Sequence, residues 1–347
     1  MKKKMAVLGS GAIGSSIGAD LTKAGHDVML IDQWPAHVDA MKANGLHILM
    51  KEGDMHVPVK AAHLCELATL KPNFDIVFLT AKSYDTRWMV ELIKPYLKSD
   101  GVLVSIQNSM NDELIAPAVG YQRDIGSAIE LAAHLFEPGR VRRITSQPHT
   151  WLSVGELHGR MTPRLQEIAD ILKCTGIIET SSNIWGVKWT KLIANCMVMG
   201  LSGMLGIYNW QVAEEDALFR WVMQTGRESL QVGQALGYRL EPLFGMTAED
   251  MLAAPDDMLE KNVRTILMNI TKESHSCIYH DHLRGRLCEV DQINGLVVEK
   301  GRAVNVPAPA NQAICDITRD IEQGKLKISL DNKAVLEKYW KQVFPAA

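Results

Sequence analysis

No stretch of this 347-residue chain approaches 18 uninterrupted apolar residues, so the sequence offers no membrane-spanning helix. It has little net charge, −3 at pH 7, and its basic residues are scattered apart from Met1-Lys2-Lys3-Lys4. Neither nucleic acid nor an anionic membrane is therefore an expected partner. The six cysteines, Cys65, Cys174, Cys196, Cys277, Cys288 and Cys315, include no close CxxC pair, which fits reduced thiols and a cytoplasmic location. The basic start leads straight into a strand-like run, so a cleavable signal is not expected. There is no internal repeat and no low-complexity tract. What is present is 47% hydrophobic sequence, enough for two domains with substantial cores.

The stretch Met5-Ala-Val-Leu-Gly-Ser-Gly-Ala-Ile-Gly14 joins an apolar run to a GxGxxG spacing, and Ile13, Ile17 and Leu21 then follow a helical period. It reads as strand, tight turn and helix. Gly9 permits the turn, Gly11 lets backbone approach a pyrophosphate, and Gly14 lets helix pack on strand. Ser10, Ala12 and Ile13 complete the loop, and the helix N-terminus offers N–H groups to phosphate. After Gly25, His-Asp-Val-Met-Leu-Ile-Asp32 is a second strand closing on an acid. A carboxylate there accepts from both hydroxyls of an adenosine ribose and repels a 2′-phosphate, which favours NAD over NADP. The competing readings are a glycine-rich turn with Asp32 as a helix cap, and FAD as the dinucleotide.

Further along, residues 36–45 read as a helix ended by Gly45, and 46–60 as a short antiparallel excursion. Residues 75–82 and 101–108 read as buried strands flanking a helix over 83–98, an alternation that predicts a doubly wound parallel sheet. Lys82 and Asn108 fall at strand carboxyl ends, where such sheets bind ligands. Residues 125–157 read as strands extending that sheet, 163–173 as a helix on it, and 176–183 as a lead-out. Beyond about 183 the periods are helical, over 185–205, 212–236, 247–286, 289–303 and 310–324. The expected domains are thus 1–182, α/β and Rossmann-like, and 183–347, all-α.

The chemistry concentrates in Val187-Lys-Trp-Thr-Lys-Leu-Ile-Ala-Asn-Cys196. Lys191 and Asn195 are four residues apart on one helix face and can meet one substrate. An ammonium there can protonate a ketone oxygen as hydride arrives, or do the reverse during alcohol oxidation. Lysine and asparagine at this spacing are often just a solvated face, but Trp189, Leu192, Ile193, Cys196 and Met197 make this one core. Glu289 and Asp291 precede another apolar helical run. They read either as favourable charge near a helix N-terminus or, for Glu289, as a partner that orients the substrate hydroxyl or the Lys191 ammonium. Ser-His275-Ser276-Cys277-Ile-Tyr-His280-Asp281-His282 suggests a metal, but 280 and 282 point apart on a helix and there is no HExxH-like pair, so no metal site is expected. His275 or His280 beside Cys277 fits a substrate pocket better. Tryptophans 185, 189 and 210 and methionines 197 and 204 read as packing residues.

Taken together, Gly-Ser-Gly-Ala-Ile-Gly at 9–14, Leu-Thr-Ala-Lys at 79–82, Gln-Asn-Ser-Met-Asn-Asp-Glu at 107–113, Trp-Thr-Lys-Leu-Ile-Ala-Asn-Cys at 189–196 and Glu-Val-Asp-Gln-Ile-Asn-Gly at 289–295, followed by Val-Asn-Val-Pro-Ala-Pro-Ala-Asn at 304–311, resemble the ketopantoate reductase family, in order along nearly the whole chain. The resemblance implies an NAD(P)-dependent dehydrogenase or reductase acting on CH–OH groups. It implies Lys191 as general acid/base, Glu289 as its partner, Asn108 between nicotinamide and substrate, Lys82 by the cofactor and Asn195 on the substrate. It also implies a Rossmann-like domain joined to a helical domain of the 6-phosphogluconate-dehydrogenase-like kind, with catalysis in the cleft between them.

Three departures bear on specificity. Met199 stands where the family usually has a second asparagine, Cys277 (with Ser276 adjacent) where it usually has a substrate-binding serine, and Ser109 where it usually has the glycine of a QNG motif. Asp32 replaces the basic residue common in NADPH-dependent members. Ketopantoate, with its carboxylate and primary hydroxyl, would lose two polar contacts, so a different and less polar hydroxy acid or alcohol, with its ketone, is the expected substrate. The alternatives are genuine 2-dehydropantoate 2-reductase activity, a β-hydroxy acid dehydrogenase with its own Lys-x-x-x-Asn helix, and a catalytically silent nucleotide-binding protein. The apolar surface of the helical half suggests a homodimer.

Overall fold

Short runs such as Met5–Leu8, Val28–Asp32 and Ile76–Leu79, rich in β-branched and large aliphatic residues, bury almost every side chain, as strands covered on both faces must. The structure is a computed structural model that describes residues 2–243, 245–269 and 272–345. It divides into two units between Trp185 and Gly186. The sequence-based division after 182 lies slightly earlier. Ile184 and Trp185 go with the first unit because Ile184 packs where Gly126 and Gly155 leave no room for a Cβ, and the Trp185 indole donates to Leu157 O at 3.1 Å.

The first unit contains β1 (Lys4–Leu8), α1 (Ala12–Lys23), β2 (Asp27–Asp32), α2 (Pro35–Asn44), β3 (Leu46–Leu49), β4 (Met55–Val57), β5 (Lys60–His63), α3 (Leu67–Leu70), β6 (Phe74–Leu79), α4 (Thr86–Ile93), β7 (Leu97–Ile106), α5 (Asp112–Val119), β8 (Asp124–Glu130), β9 (Ala133–Glu137), β10 (Arg140–Arg143), β11 (Trp151–Glu156), α6 (Pro163–Leu172) and β12 (Ile177–Thr180). Eight strands form one sheet in the order β12-β11-β8-β7-β6-β1-β2-β5. All neighbours are parallel except β11, which runs antiparallel to β8. The Rossmann-like expectation is met, and the chain reverses direction across the sheet beside β1, as binding folds of this kind do.

Two local expectations need correction. The strands after 125 do not all extend the main sheet. β8 and β11 do, but β9 and β10, paired across the turn at Gly139 (φ +73°), join β3 and β4 in a second sheet, β4-β3-β10-β9. Leu46, Ile48, Leu135 and Val141 there bury against Ile17 and Leu21, so α1 lies between two sheets. And 176–183 is no mere lead-out, since β12 pairs with β11 at the edge of the main sheet.

A buried ion pair pins α1 to this second layer. Arg143 Nη1 lies 2.6 Å from Asp20 Oδ2, with the side chains 0% and 7% exposed, and Arg143 also donates to Thr145 O, Thr150 Oγ1 and Thr175 O. Burial outweighs the attraction of Arg143 and pushes the Asp20 carboxyl from its ordinary 3.8 up to about 6. A carboxyl whose pKa is higher folded than unfolded binds its proton more readily in the native state. Its contribution to stability therefore falls as pH rises from about 4 to about 6 and is level above. Asp20→Asn is expected to flatten that limb in urea unfolding measured from pH 4 to 7.

Among its described residues the second unit has helices and no strand: α7 (Ile184–Leu205, whose first two residues belong to the first unit), α8 (Asp216–Ala235), α9 (Pro255–Asn269), α10 (Cys277–Leu283), α11 (Asn294–Ala303), α12 (Pro309–Glu322) and α13 (Asn332–Val343). On α8, Gly226 and Gly233 stand two turns apart. A Cβ at Gly233 would overlap the Trp189 indole, and one at Gly226 would meet Met197 Sδ at 2.9 Å, so these glycines let α8 close on α7. The buried Glu228 of α8 accepts from the N–H groups of Ala310 and Asn311 at 2.9 and 3.0 Å. Asn311 in turn accepts from Asn294 Nδ2, which also donates to Cys196 O at 3.1 Å. One carboxylate thus fixes the starts of α11 and α12 against α7. No helix among the described residues is long and apolar enough to cross a membrane.

Candidate active site

In the first unit, the turn between β1 and α1 is held by backbone. Gly9 N–H donates to Ile31 O at 2.9 Å, and Thr80 Oγ1 donates to Gly9 O at 2.8 Å. Gly9 has φ +88°, and a Cβ there would lie 2.6 Å from Ala81 backbone. A Cβ on Gly14 would lie 2.4 Å from Thr80 Oγ1. Gly11 differs: a Cβ would meet nothing within 4 Å, so open space lies before the α1 N-terminus, and no side chain caps that helix. Glycine here leaves backbone N–H groups facing room for a pyrophosphate, and the loop fits a dinucleotide.

Ser10 is buried, its hydroxyl turned to Val7 O and Ile31 O at 3.4 Å, so its contribution to the loop is its backbone. Asp32 ends β2 with 8% exposure, and its Oδ1 accepts the Trp34 N–H at 2.8 Å. This bond sets the carboxylate's orientation at the turn before α2. His37, wholly buried, accepts the Gly139 N–H at Nδ1 (2.9 Å), so Nε2 carries the proton and donates to Ser10 O at 3.0 Å. His37 thereby braces the glycine loop from α2 and the β9–β10 turn. Its role was invisible in the sequence because Gly139 lies about a hundred residues away.

Lys82 and Asn108 sit in the turns after β6 and β7. A buried network joins these turns. Gln107 Nε2 donates to Ala81 O at 2.7 Å and to Thr86 Oγ1 at 2.9 Å, and Asn111 Nδ2 donates to Asn108 O at 2.7 Å and Ser83 Oγ at 3.0 Å. Ser83, Thr86, Gln107 and Asn111 are supporting residues that sequence reasoning missed, although the spacing of Asn108 and Asn111 hinted at a local turn. Ser109 has φ +70°. That left-handed conformation is what glycine adopts freely, so Ser109→Gly is expected to raise stability by roughly 0.5–1 kcal/mol. The urea midpoint would register it.

In the second unit, α7 carries Lys191, Asn195 and Met199 at successive turns of one face, each about 6 Å along the axis from the last. Lys191 is 6% and Asn195 3% exposed, so this is core and not a solvated face. Glu289, 4% exposed, comes from the turn before α11. Cys277 opens α10, and its Sγ lies 3.9 Å from Met199 Sδ and 4.0 Å from Glu289 Oε2. Glu289, Cys277 and Met199 at the far end of the Lys191 face are thus brought together although they are 12 to 90 residues apart in sequence. Ser276 is buried as the cap of α10, its Oγ accepting the Tyr279 N–H at 3.3 Å. That bond occupies it structurally.

The histidines separate. His275 Nδ1 lies 3.1 Å from Ile207 O, and its ring stacks on Tyr279 and tilts against Tyr208, with His280 edge-on at 6.1 Å. His282 points elsewhere, toward Cys288 and Glu322.

The family model described as "Ketopantoate reductase PanE/ApbA" matches residues 5–157, and its C-terminal counterpart matches 183–322. A 2-dehydropantoate 2-reductase of Pyrococcus abyssi is 30% identical over 331 residues, 93% of this chain and 99% of that one. Among solved structures, a PanE/ApbA family ketopantoate reductase from Ralstonia eutropha JMP134 superposes with a TM-score of 0.78 at 27% identity, covering 93% of this chain and 99% of its own. D-mandelate dehydrogenase, solved with NADH and anilino(oxo)acetate, superposes with a TM-score of 0.82 at 21% identity, covering 92% and 99%, a likeness of fold. With both halves of its sequence matched in order and the expected α/β and helical units in place, this chain belongs to the ketopantoate reductase family of NAD(P)-dependent oxidoreductases.

Proposed function

We propose that this protein interconverts a 2-keto acid and its 2-hydroxy acid, less polar than ketopantoate and pantoate, with NAD(H) as the preferred dinucleotide. The observation that carries the reading is the Met199–Cys277–Glu289 arrangement: a thioether and a thiol lie together beside the carboxylate. A ligand group placed there meets polarizable sulfur on one side, where family members usually present asparagine and serine. Each lost hydrogen bond costs about 1–1.5 kcal/mol, so two cost ketopantoate roughly 30–160-fold.

Gly9–Gly14 and Asp32 would hold the dinucleotide, which when bound supplies or accepts the hydride. Lys191 holds the proton delivered to the carbonyl oxygen in reduction and takes it back in oxidation. Asn195, one turn on, holds the same oxygen or the adjoining carboxylate. Glu289 orients the hydroxyl and balances the buried ammonium. Lys82 and Asn108, in the turns after β6 and β7, would meet cofactor and substrate. The fold also accommodates NADH and anilino(oxo)acetate in D-mandelate dehydrogenase.

The test is steady-state kinetics with NADH and NADPH on ketopantoate and on 2-keto acids bearing aliphatic or aromatic side chains. The double variant Met199→Asn, Cys277→Ser is expected to raise kcat/KM for ketopantoate about 30-fold or more, while lowering it for the apolar substrates. The 30% identity to a 2-dehydropantoate 2-reductase favours the other reading, a true ketopantoate reductase. Wild-type turnover of ketopantoate with kcat/KM at or above about 10⁵ M⁻¹s⁻¹ would establish that reading and sink ours.

A further inference from the structure

The sequence placed His282 in a histidine-rich run whose members cannot share an ion, yet the fold supplies His282 with two other neighbours. One ligand atom each from His282, Cys288 and Glu322 lies within 4.8 Å of the others. They come from three places: the C-terminal turn of α10, the loop that follows it, and the last residue of α12. A tight turn makes the first two meet. Gly285, at φ +59°, donates its N–H to His282 O at 3.0 Å, and Arg286 N–H returns to Asp281 O at 2.9 Å, which sends the chain back so that Cys288 lies near His282. The third is aimed by backbone, because the Cys288 N–H donates to Glu322 Oε1 at 2.7 Å and fixes that carboxylate beside the thiol.

Two further observations point to a ligand. His282 Nε2 is buried without a hydrogen-bond partner among the described residues, an expense a protein seldom carries. Cys288 is a buried free thiol whose Sγ lies within 4.8 Å of the other two ligand atoms. A divalent cation answers both at once, taking the imidazole lone pair and neutralising thiolate and carboxylate together.

We propose that His282, Cys288 and Glu322 form a zinc site that ties the segment carrying Glu289 to the ends of α10 and α12. The donor set is one sulfur, one imidazole nitrogen and one carboxylate oxygen, the mixed set that zinc takes in tetrahedral sites, with water as the fourth ligand. Bonds of about 2.0–2.3 Å put tetrahedral ligand atoms roughly 3.5 Å apart, so side-chain rotation has only to draw the three inward by about an ångström. Binding replaces the Cys288 proton, which leaves to solvent; no oxidation is involved. The Glu322–Cys288 backbone bond is the kind of outer contact that orients a metal ligand. Since Glu289 directly follows Cys288, occupancy restrains the candidate catalytic carboxylate through one peptide bond, so the ion acts as a positioning element for the loop and not as a reactant.

The full-length protein, stripped with a chelator and desalted, should be titrated with Zn²⁺ alone by calorimetry and with Co²⁺ by absorption spectroscopy. The expected result is one Zn²⁺ per chain with a Kd at or below about 1 µM. Co²⁺ should give a thiolate-to-metal charge-transfer band that Cys288→Ser abolishes, and Glu322→Gln should weaken Zn²⁺ about 10–100-fold. Because Cys288→Ser removes a buried group, the Co²⁺ band of the wild type and the Glu322→Gln titration serve if that variant does not fold. Failure to bind stoichiometric Zn²⁺, a Co²⁺ complex without a thiolate band, or a band lost in Cys277→Ser and kept in Cys288→Ser would each overturn the site. The readouts are independent of turnover, so they stand or fall apart from the substrate assignment.

Discussion

Lys191→Ala is expected to lower kcat by about 10³-fold, within the 10²–10⁴ range that a positioned acid/base supplies, while changing the Kd for NADH by no more than about twofold. The argument starts from burial. An ammonium that is 6% exposed on a helix of tryptophan, leucine, isoleucine and methionine carries a desolvation cost that a surface lysine avoids, and a fold retains such a group where its charge or its proton is used. NADH binding should survive because Gly9–Gly14 and Asp32, the residues proposed to hold it, belong to the first unit and Lys191 to the second. Lys191→Met keeps the aliphatic stem and most of the volume, so it separates loss of the proton from loss of packing. In both variants KM for the keto acid should move far less than kcat. A nucleotide-sensing protein would behave differently, since the wild type would show no turnover for either substitution to abolish. If Lys191→Met turned over at the wild-type rate, the acid would have to be another group.

The second large effect concerns dinucleotide choice. The wild-type protein is expected to bind NADH at least about 100-fold more tightly than NADPH, from about 1.5–3 kcal/mol for each hydrogen bond to a charged carboxylate and from repulsion of the 2′-phosphate. Asp32 is 8% exposed, so the repulsion is weakly screened. Asp32→Asn isolates the charge: its amide oxygen can still accept the Trp34 N–H that now binds Oδ1, so the turn into α2 is kept. Most of the discrimination should vanish in that variant, by weaker NADH and stronger NADPH binding together. Calorimetric titration of both proteins with both nucleotides decides it. Tight NADPH binding to the wild type would mean that Asp32 serves α2 and not the ribose.

The elements that were legible from sequence are those whose information is local. The β1–α1–β2 turn reads clearly because Gly9, Gly11 and Gly14 each meet a backbone demand at fixed spacing, and the structure gives Gly9 the positive φ of a turn and Gly14 the close packing expected of it. The long α7 reads clearly because its apolar residues recur around every turn. Other elements were missed for definable reasons. β12 alternates exposure along only four residues and is a strand only because β11 is beside it. The run 247–286 reads as one helical stretch, yet among its described residues it holds two separate α-helices, α9 and α10, the second started by Ser276 as its cap. α13 went unread beyond residue 324, although Leu336 and Trp340 bury one face of it.

By itself, the sequence determined that this chain would fold as a dinucleotide-type α/β unit followed by helices, and that Lys191 and Asn195 would share a face, because helix and strand periods and glycine spacings are encoded within a few residues. Tertiary structure alone decided which distant residues meet. It set Cys277 against Met199 and Glu289, braced the glycine loop with His37 through Gly139, split β9 and β10 from the main sheet, and took His282 from its neighbouring histidines to Cys288 and Glu322. Side-chain contacts across 12 or more residues depend on how whole elements pack, and packing is a property of complementary volumes and buried polar pairs that no local pattern contains.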